Sequence, residues 1–228
     1  MNFNKKLEFL LKKHDYFHDF VFFLYIRSMS EIITAKNLVT IPDWQTAKDS
    51  ILPILAPVET NKETLPALRS DDMLCRLVTD NIKMYLACVY NGAIIRLTEN
   101  LIAQWSVSFA IISLAIDENL SRFVSDVYFE KHYNNRFEYF TMHHPVASIS
   151  PLLLFYKPFQ QALCSKFGST FYAAVPELST AVIFRKKFVK AYEKRLRDDV
   201  ILTYDCSTRP LSKELIEISK DGAFSVGI

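Results

Sequence analysis

The chain has 228 residues, half of them hydrophobic and 23% charged, and this composition predicts a folded globular protein and excludes a disordered one. Lysine and arginine number 27 against 25 aspartates and glutamates, so the formal net charge of +2 excludes a global field that would attract nucleic acid or a membrane surface. The length suits one core, and we expect residues 1–228 to form a single α+β domain.

Cysteine usage and the apolar runs bear on the cellular compartment. Cys75, Cys88, Cys164 and Cys206 are widely spaced and form no C-x-x-C pair, which predicts reduced, mostly buried thiols. The apolar run Phe20–Ile26 is too short to span a bilayer and lies too late in the chain for a signal peptide. We therefore expect a cytoplasmic protein with no membrane insertion. We also expect no cofactor.

The N-terminal segment contains the one pattern that resembles a metal motif. Apolar residues recur every three or four positions over Phe3–Val21, which predicts an amphipathic helix. His14 and His18 have the spacing of the zinc motif H-E-x-x-H, with Asp15 in place of the glutamate. The same helix face carries Leu11, and the shorter Asp15 would reach less far toward a metal-bound water, so the pattern favours packed or capping histidines over a metal site.

Two further features precede the first clear hairpin. The seven consecutive apolar residues of Phe20–Ile26 exceed what one face of a surface element can bury, which predicts either a strand covered on both sides or a homodimer or partner interface. Four prolines interrupt Ile41–Ala67, so we expect a short helix and an edge strand joined by loops in this linker.

The rest of the chain predicts an α+β fold, with a mixed, largely antiparallel sheet of hairpins packed against helices. Asn91-Gly92 suits a two-residue hairpin turn after a central strand, and Asn134-Asn135 suits a second turn. The expected strands are Ile82–Tyr90, Ala93–Thr98, Val127–Tyr133, Arg136–Met142, Thr170–Val175 and Thr180–Phe184. The expected helices are Ser106–Val124, Pro151–Lys166 with a kink or break at Pro158, Lys187–Asp198 and Ser212–Ile218.

Several segments resemble a known family. They are ILPILAPVE from Ile51, MYLACVYNGAIIRLTENLIAQWSVS from Met84, AIDENL from Ala115 and FYAAVPELSTAVIF from Phe171. The chain in this respect resembles the YtpQ-like family of uncharacterised bacterial proteins, over about residues 51–222. The resemblance implies a mixed α+β domain and supplies no catalytic residues, because the activity of that family is unassigned.

The glycine content argues against several enzyme classes. The only four glycines are Gly92, Gly168, Gly222 and Gly227, and none of them cluster. Phosphate-binding loops need clustered glycines so that backbone N–H groups can approach the anion. The chain also lacks G-x-S-x-G, so nucleotide-binding folds of these types and nucleophile-elbow hydrolases are not indicated.

The second predicted hairpin carries the candidate catalytic residues. A turn at Asn134-Asn135 would place Asp126 opposite His143, and a carboxylate there could orient the imidazole as in general-base catalysis. A solvated cross-strand ion pair is the alternative. With this register, one face of the predicted hairpin collects Asp126, Tyr128, Glu130, His132, Tyr139 and His143. His132 and His143 would then lie roughly 20 Å apart, too far to share one ion.

The predicted helix Lys187–Asp198 and its flank are basic, but Phe188 and Leu196 fall on one stripe and most charges elsewhere, which is typical of a solvated face. No aromatic residue there is free to stack on bases, and the pattern argues against nucleic-acid binding.

Two functions remain from the sequence. The first is a non-catalytic protein-binding module of an accessory, regulatory or immunity type, with a protein as its partner, favoured by 18 phenylalanines and 11 tyrosines. The second is a small hydrolase or transferase that uses Asp126, His143 and His144.

Overall fold

The computed structural model describes residues 41–58, 74–90, 93–134, 137–146 and 148–226. The predicted N-terminal helix, the His14 and His18 pair and the Phe20–Ile26 run lie outside the described residues, as does the linker beyond residue 58. Helices and two antiparallel sheets fill the described part of the chain, which confirms the α+β class.

The elements alternate along the chain. The helices are α1 (Trp44–Ala47), α2 (Glu99–Trp105), α3 (Phe109–Val124), α4 (Ile149–Leu153), α5 (Lys157–Phe167) and α6 (Lys186–Cys206), with a 3-10 turn (Lys48–Ser50) after α1. The strands are β1 (Ile51–Pro57), β2 (Cys75–Leu77), β3 (Ile82–Tyr90), β4 (Ala93–Arg96), β5 (Tyr128–Asn134), β6 (Phe137–His143), β7 (Thr170–Glu177), β8 (Thr180–Arg185), β9 (Leu215–Ser219) and β10 (Gly222–Val226).

The smaller sheet is built around β3. β1 lies on one side of β3, and β2 and β4 share the other side. Tyr90 pairs with Ala93, which confirms the hairpin predicted from Asn91-Gly92, and β1 is the predicted edge strand. Buried Asn119 of α3 donates hydrogen bonds to the carbonyls of Lys48 (2.8 Å) and Ile51 (3.0 Å), which fixes the helix against the start of β1.

The larger sheet has six strands in the order β10-β9-β7-β8-β6-β5, all antiparallel. One face packs against α4 and α5 in the main core, which includes Phe171 and Ile183 together with Ile82 and Met84 of the smaller sheet. On the opposite face α6 covers β7 and β8 through Val189. The two sheets therefore share one apolar core.

The predicted helices differ from the structure in their bounds or number, and one of them is wrong. The break predicted within Pro151–Lys166 is confirmed, although it falls before Pro158, which lies in the first turn of α5, where its missing N–H has no intrahelical partner to lose. α3 is preceded by a separate α2, and α6 continues to Cys206. The helix predicted at Ser212–Ile218 is wrong, because these residues lead into β9, which pairs with β7 and β10 and is buried on both faces.

Candidate functional site

The register of the β5–β6 hairpin differs from the predicted one. Tyr128, and not Asp126, lies opposite His143, so the predicted Asp126–His143 cross-strand pair is wrong. Asn134 pairs with Phe137, so the strands close one residue later than expected and the ladder slips by two residues. A slip by an even number keeps every side chain on its predicted face, so the hydrophobic pattern alone cannot distinguish the two registers.

The side chains of β5 and β6 that lie on the same side of the sheet as α6 form a polar, aromatic surface. We call it the hairpin face, and it consists of Tyr128, Glu130, His132, Tyr139, Thr141 and His143. Two opposite pairs stack nearly parallel: Tyr128 on His143 with ring centroids 5.1 Å apart, and His132 on Tyr139 at 4.8 Å. Tyr128 is 58% exposed, and α6 packs over β7 and β8, so that among the described helices none covers this end of the sheet.

Glu130 lies between the two stacked pairs. Its Oε2 atom is 3.3 Å from Nε2 of His143 and 3.9 Å from Nε2 of His132. The predicted separation of roughly 20 Å between the histidines is wrong, because in the observed register Tyr139, opposite His132, precedes His143 by only four residues. Nevertheless, no group of three His, Cys, Asp or Glu side chains in the described part of the chain is placed to hold a metal ion.

The contacts of His132 do not form a catalytic relay. Thr141 Oγ1 lies 3.0 Å from His132 Nε2, and the carboxylate of Glu130 approaches the same nitrogen. In a hydroxyl–imidazole–carboxylate relay one ring nitrogen takes the proton of the hydroxyl while the other is held by the acid. Because both groups approach Nε2, this geometry does not activate Thr141.

His144, the third candidate catalytic residue, is buried. Its Nδ1 accepts a hydrogen bond from the N–H of Val146 at 2.9 Å, and its ring packs edge-on against Phe123 at 5.4 Å. His143 and His144 therefore contact different surroundings and do not converge. Asp126 lies before β5, where its backbone N–H donates to the carbonyl of Phe123.

A cleft of about 470 Å³ opens between the smaller sheet, α3 and the junction of α4 with α5. We call it the cleft. Its walls are mostly apolar and include Pro53, Met84, Leu86, Ile116, Leu120, Leu152 and Phe155. Three charged residues also line it, namely Arg76, Asp117 and Lys157. Sequence reasoning missed the cleft because its lining comes from segments about a hundred residues apart, and no local pattern marks it. In the structure its lining includes Phe109, an apolar residue that is 56% exposed.

The polar atoms of the cleft are partly engaged. Tyr156 donates its hydroxyl to the carbonyl of Asp117 at 3.4 Å, and burial, together with the Asp117 carboxylate, raises the pKa of that phenol. The guanidinium of Arg76 lies over Met84, with Nη2 4.0 Å from the sulfur. Cys75 presents an exposed thiol on the lining.

A separate polar cluster around Glu177 anchors the β7–β8 turn. The carboxylate of Glu177 accepts hydrogen bonds from Ser179 (2.6 Å), Thr180 (2.6 Å) and Ser207 (2.8 Å). Burial acts to raise the pKa of Glu177, but these hydroxyls and the nearby charge of Arg209 outweigh it and hold the pKa below its ordinary value. The cluster joins the turn to the end of α6 and is a structural feature.

The basic residues of α6 agree with the predicted solvated face. Lys186, Lys187, Lys194 and Arg195 are exposed, whereas Val189, Leu196 and Val200 are buried against the sheet. Among the described helices none alone is long and apolar enough to cross a membrane, and α2 and α3 reach that length and composition only as a pair bent by 95°.

Comparisons with protein-family models, with curated proteins and with solved structures find no match for this chain. The resemblance to the YtpQ-like family stays a sequence-based prediction. The hairpin face and the cleft are the features of the described residues that bear on function.

Proposed function

We propose that the protein is a non-catalytic protein-binding module. In this proposal an extended segment of a partner protein adds to the edge of β5, and its side chains pack on the hairpin face. The observation that carries the proposal is the pair of stacked Tyr–His contacts on a strand face that no described helix covers, at the end of the six-stranded sheet.

The edge of β5 supports strand addition. Within the described residues β5 pairs only with β6, over seven residues and without a bulge. It contains no proline, so every residue keeps a backbone N–H. Main-chain hydrogen bonds along such an edge supply affinity to an added strand, and side-chain contacts supply specificity.

The hairpin face supplies those side-chain contacts. Tyrosine offers a large contact area at a low entropic cost, and stacking on the histidines restricts Tyr128 and Tyr139 before any partner binds. Glu130, with a side chain 60% exposed, places a carboxylate between the two stacked pairs. We expect the bound segment to carry an aromatic or aliphatic residue over the rings and a lysine or arginine beside Glu130.

The hydrolase or transferase alternative draws no support from the contacts of its three residues. Asp126 precedes β5, His143 stacks on Tyr128, and His144 is bonded to Val146. The enzymatic function is therefore not proposed.

The test is affinity capture from native cell extract with three forms of the full chain. The wild type, a Tyr128→Ala/His132→Ala double variant and a Tyr133→Ala control are compared after circular dichroism has shown that all are folded. Tyr133 is the matched control, because it is 75% exposed on the opposite face of the same strand. We expect a stoichiometric protein to be retained by the wild type and the control, and its affinity for the double variant to fall at least about tenfold, the loss typical of an interface hot spot.

Two results would contradict the proposal. Equal retention by the double variant and the wild type would remove the hairpin face from the interface. A partner whose binding segment forms a helix in the complex would remove strand addition.

A further inference from the structure

The cleft has the form of a small-molecule site and is independent of the hairpin face. Its volume of about 470 Å³ lies within the roughly 300–1,000 Å³ range of ligand pockets. Such pockets are mostly apolar with a few convergent polar groups, and the lining of this cleft has that composition. Apolar walls of this kind would hold the hydrocarbon part of a ligand.

The charges of the cleft favour an anion. Arg76 and Lys157 are exposed and line the cleft, and neither forms an ion pair with a carboxylate of the described residues. Asp117 is the one acid in the lining, so the lining carries two positive charges and one negative charge. Lys157 is also the first residue of α5, and the positive end of that helix dipole adds to the same sign.

The balance of charge favours a monoanion. Arg76, Lys157 and Asp117 together give the lining one net positive charge, which complements a single negative charge and not a phosphate dianion. We infer that the cleft binds a small organic molecule with an apolar body and one carboxylate. The carboxylate of this ligand pairs with Arg76 and Lys157. The ligand's hydrocarbon part lies against Met84, Ile116 and Leu120.

The first measurement is a calorimetric titration of the full chain with octanoate and with 1-octanol, which share a hydrocarbon chain and differ in charge. We expect octanoate to bind about tenfold more tightly, the effect of one charge-assisted contact. An Arg76→Gln/Lys157→Gln variant should lose this difference, and its affinity for 1-octanol should stay unchanged. Lys220→Gln, which changes an exposed cation outside the lining, should behave as the wild type.

A second pair of variants tests the position of the site. Ser113 is exposed on α3 and lines the cleft, so Ser113→Trp should fill the cleft and abolish octanoate binding. Ser121→Trp places the same bulk on an exposed position of the same helix outside the lining and should bind normally. Both variants change surface positions, so circular dichroism should show wild-type folding.

Cys75 gives a direct readout of occupancy. Saturating octanoate should slow the reaction of Cys75 with a neutral disulfide reagent several-fold and leave the exposed Cys206 unaffected, as measured in Cys206→Ser and Cys75→Ser variants. The inference is overturned if octanoate does not bind up to millimolar concentration, if it binds no more tightly than 1-octanol, or if Ser113→Trp binds it as well as Ser121→Trp does.

Discussion

Glu214 is a buried acidic residue whose carboxylate accepts three side-chain hydrogen bonds. It is 1% exposed and lies just before β9, yet its carboxylate accepts hydrogen bonds from Thr79 and Asn81 of the β2–β3 turn and from Ser225 of β10. Three donors from two sheets therefore depend on one side chain. A network of this kind fixes the relative position of the sheets when it is complete and is costly when it is broken.

We expect Glu214→Ala to lower the free energy of unfolding by about 3 kcal/mol, because buried Thr79 loses its acceptor at a cost of about 1–3 kcal/mol, and the more exposed Asn81 and Ser225 lose hydrogen bonds to a charged group but can bind water instead. Urea denaturation followed by circular dichroism measures this. Glu118→Ala, at an exposed position of α3, is the control and should change stability by less than about 0.5 kcal/mol. A loss of the same small size in both variants would show that the network does not stabilise the fold.

At the scale of elements, local sequence signals predict some strands and turns, whereas other strands depend on pairing between distant segments. Asn-Gly determined the first hairpin, and the face of each residue in the second hairpin followed from alternation. Its register did not follow, because Asn134 serves equally well as a turn residue or as the last pair of the ladder. The helix prediction at Ser212–Ile218 is wrong because short apolar runs have no decisive period, and only the pairing with β7 and β10 makes Leu215–Ser219 a strand.

The candidate sites, too, follow partly from local sequence and partly from tertiary structure. The sequence placed Tyr128, Glu130, His132, Tyr139 and His143 on one face, which the structure confirms. The contact of Glu130 with both histidines depends on a register that the sequence did not determine. The cleft depends on the packing of α3 and α5 against the smaller sheet, and no local pattern encodes that packing.

The Glu177 cluster gives the β7–β8 turn a pH-dependent anchor. The folded-state pKa of Glu177 lies below the ordinary value of 4.5. The stability that its carboxylate contributes is therefore present above about pH 4.5 and is lost as the pH falls through the lower folded pKa. We expect Glu177→Gln to be less stable than the wild type by about 1 kcal/mol at pH 7, and this difference to shrink in acid. Urea midpoints at pH 7 and pH 3.5 measure it, with Asp221→Asn as the exposed control. A difference that grows in acid would reverse the assigned sign.

At the scale of the whole molecule, the question is whether two sheets make one cooperative unit. The main core contains residues of both sheets, among them Leu52 and Ile82 from the smaller and Phe171 and Ile216 from the larger. Glu214 ties the β2–β3 turn to β10 across the same boundary. A shared core of this kind favours a single domain over two that unfold separately.

The buried thiols can test this because each reports on one sheet. Cys88 lies in β3, and Cys164 lies in α5 against the larger sheet. Burial raises the pKa of Cys88 to about 11 and raises that of Cys164, so in the native state both thiols are protonated as well as shielded.

The experiment uses a Cys75→Ser/Cys206→Ser background, which removes the exposed thiols. We expect Cys88 and Cys164 to react with a neutral disulfide reagent only on unfolding and at the same urea concentration. Mass spectrometry of each labelled peptide across a urea series measures the two midpoints. Separate midpoints for Cys88 and Cys164 would mean that the sheets unfold independently, whereas a common midpoint that falls equally for both thiols in Glu214→Ala would show that the two sheets unfold together.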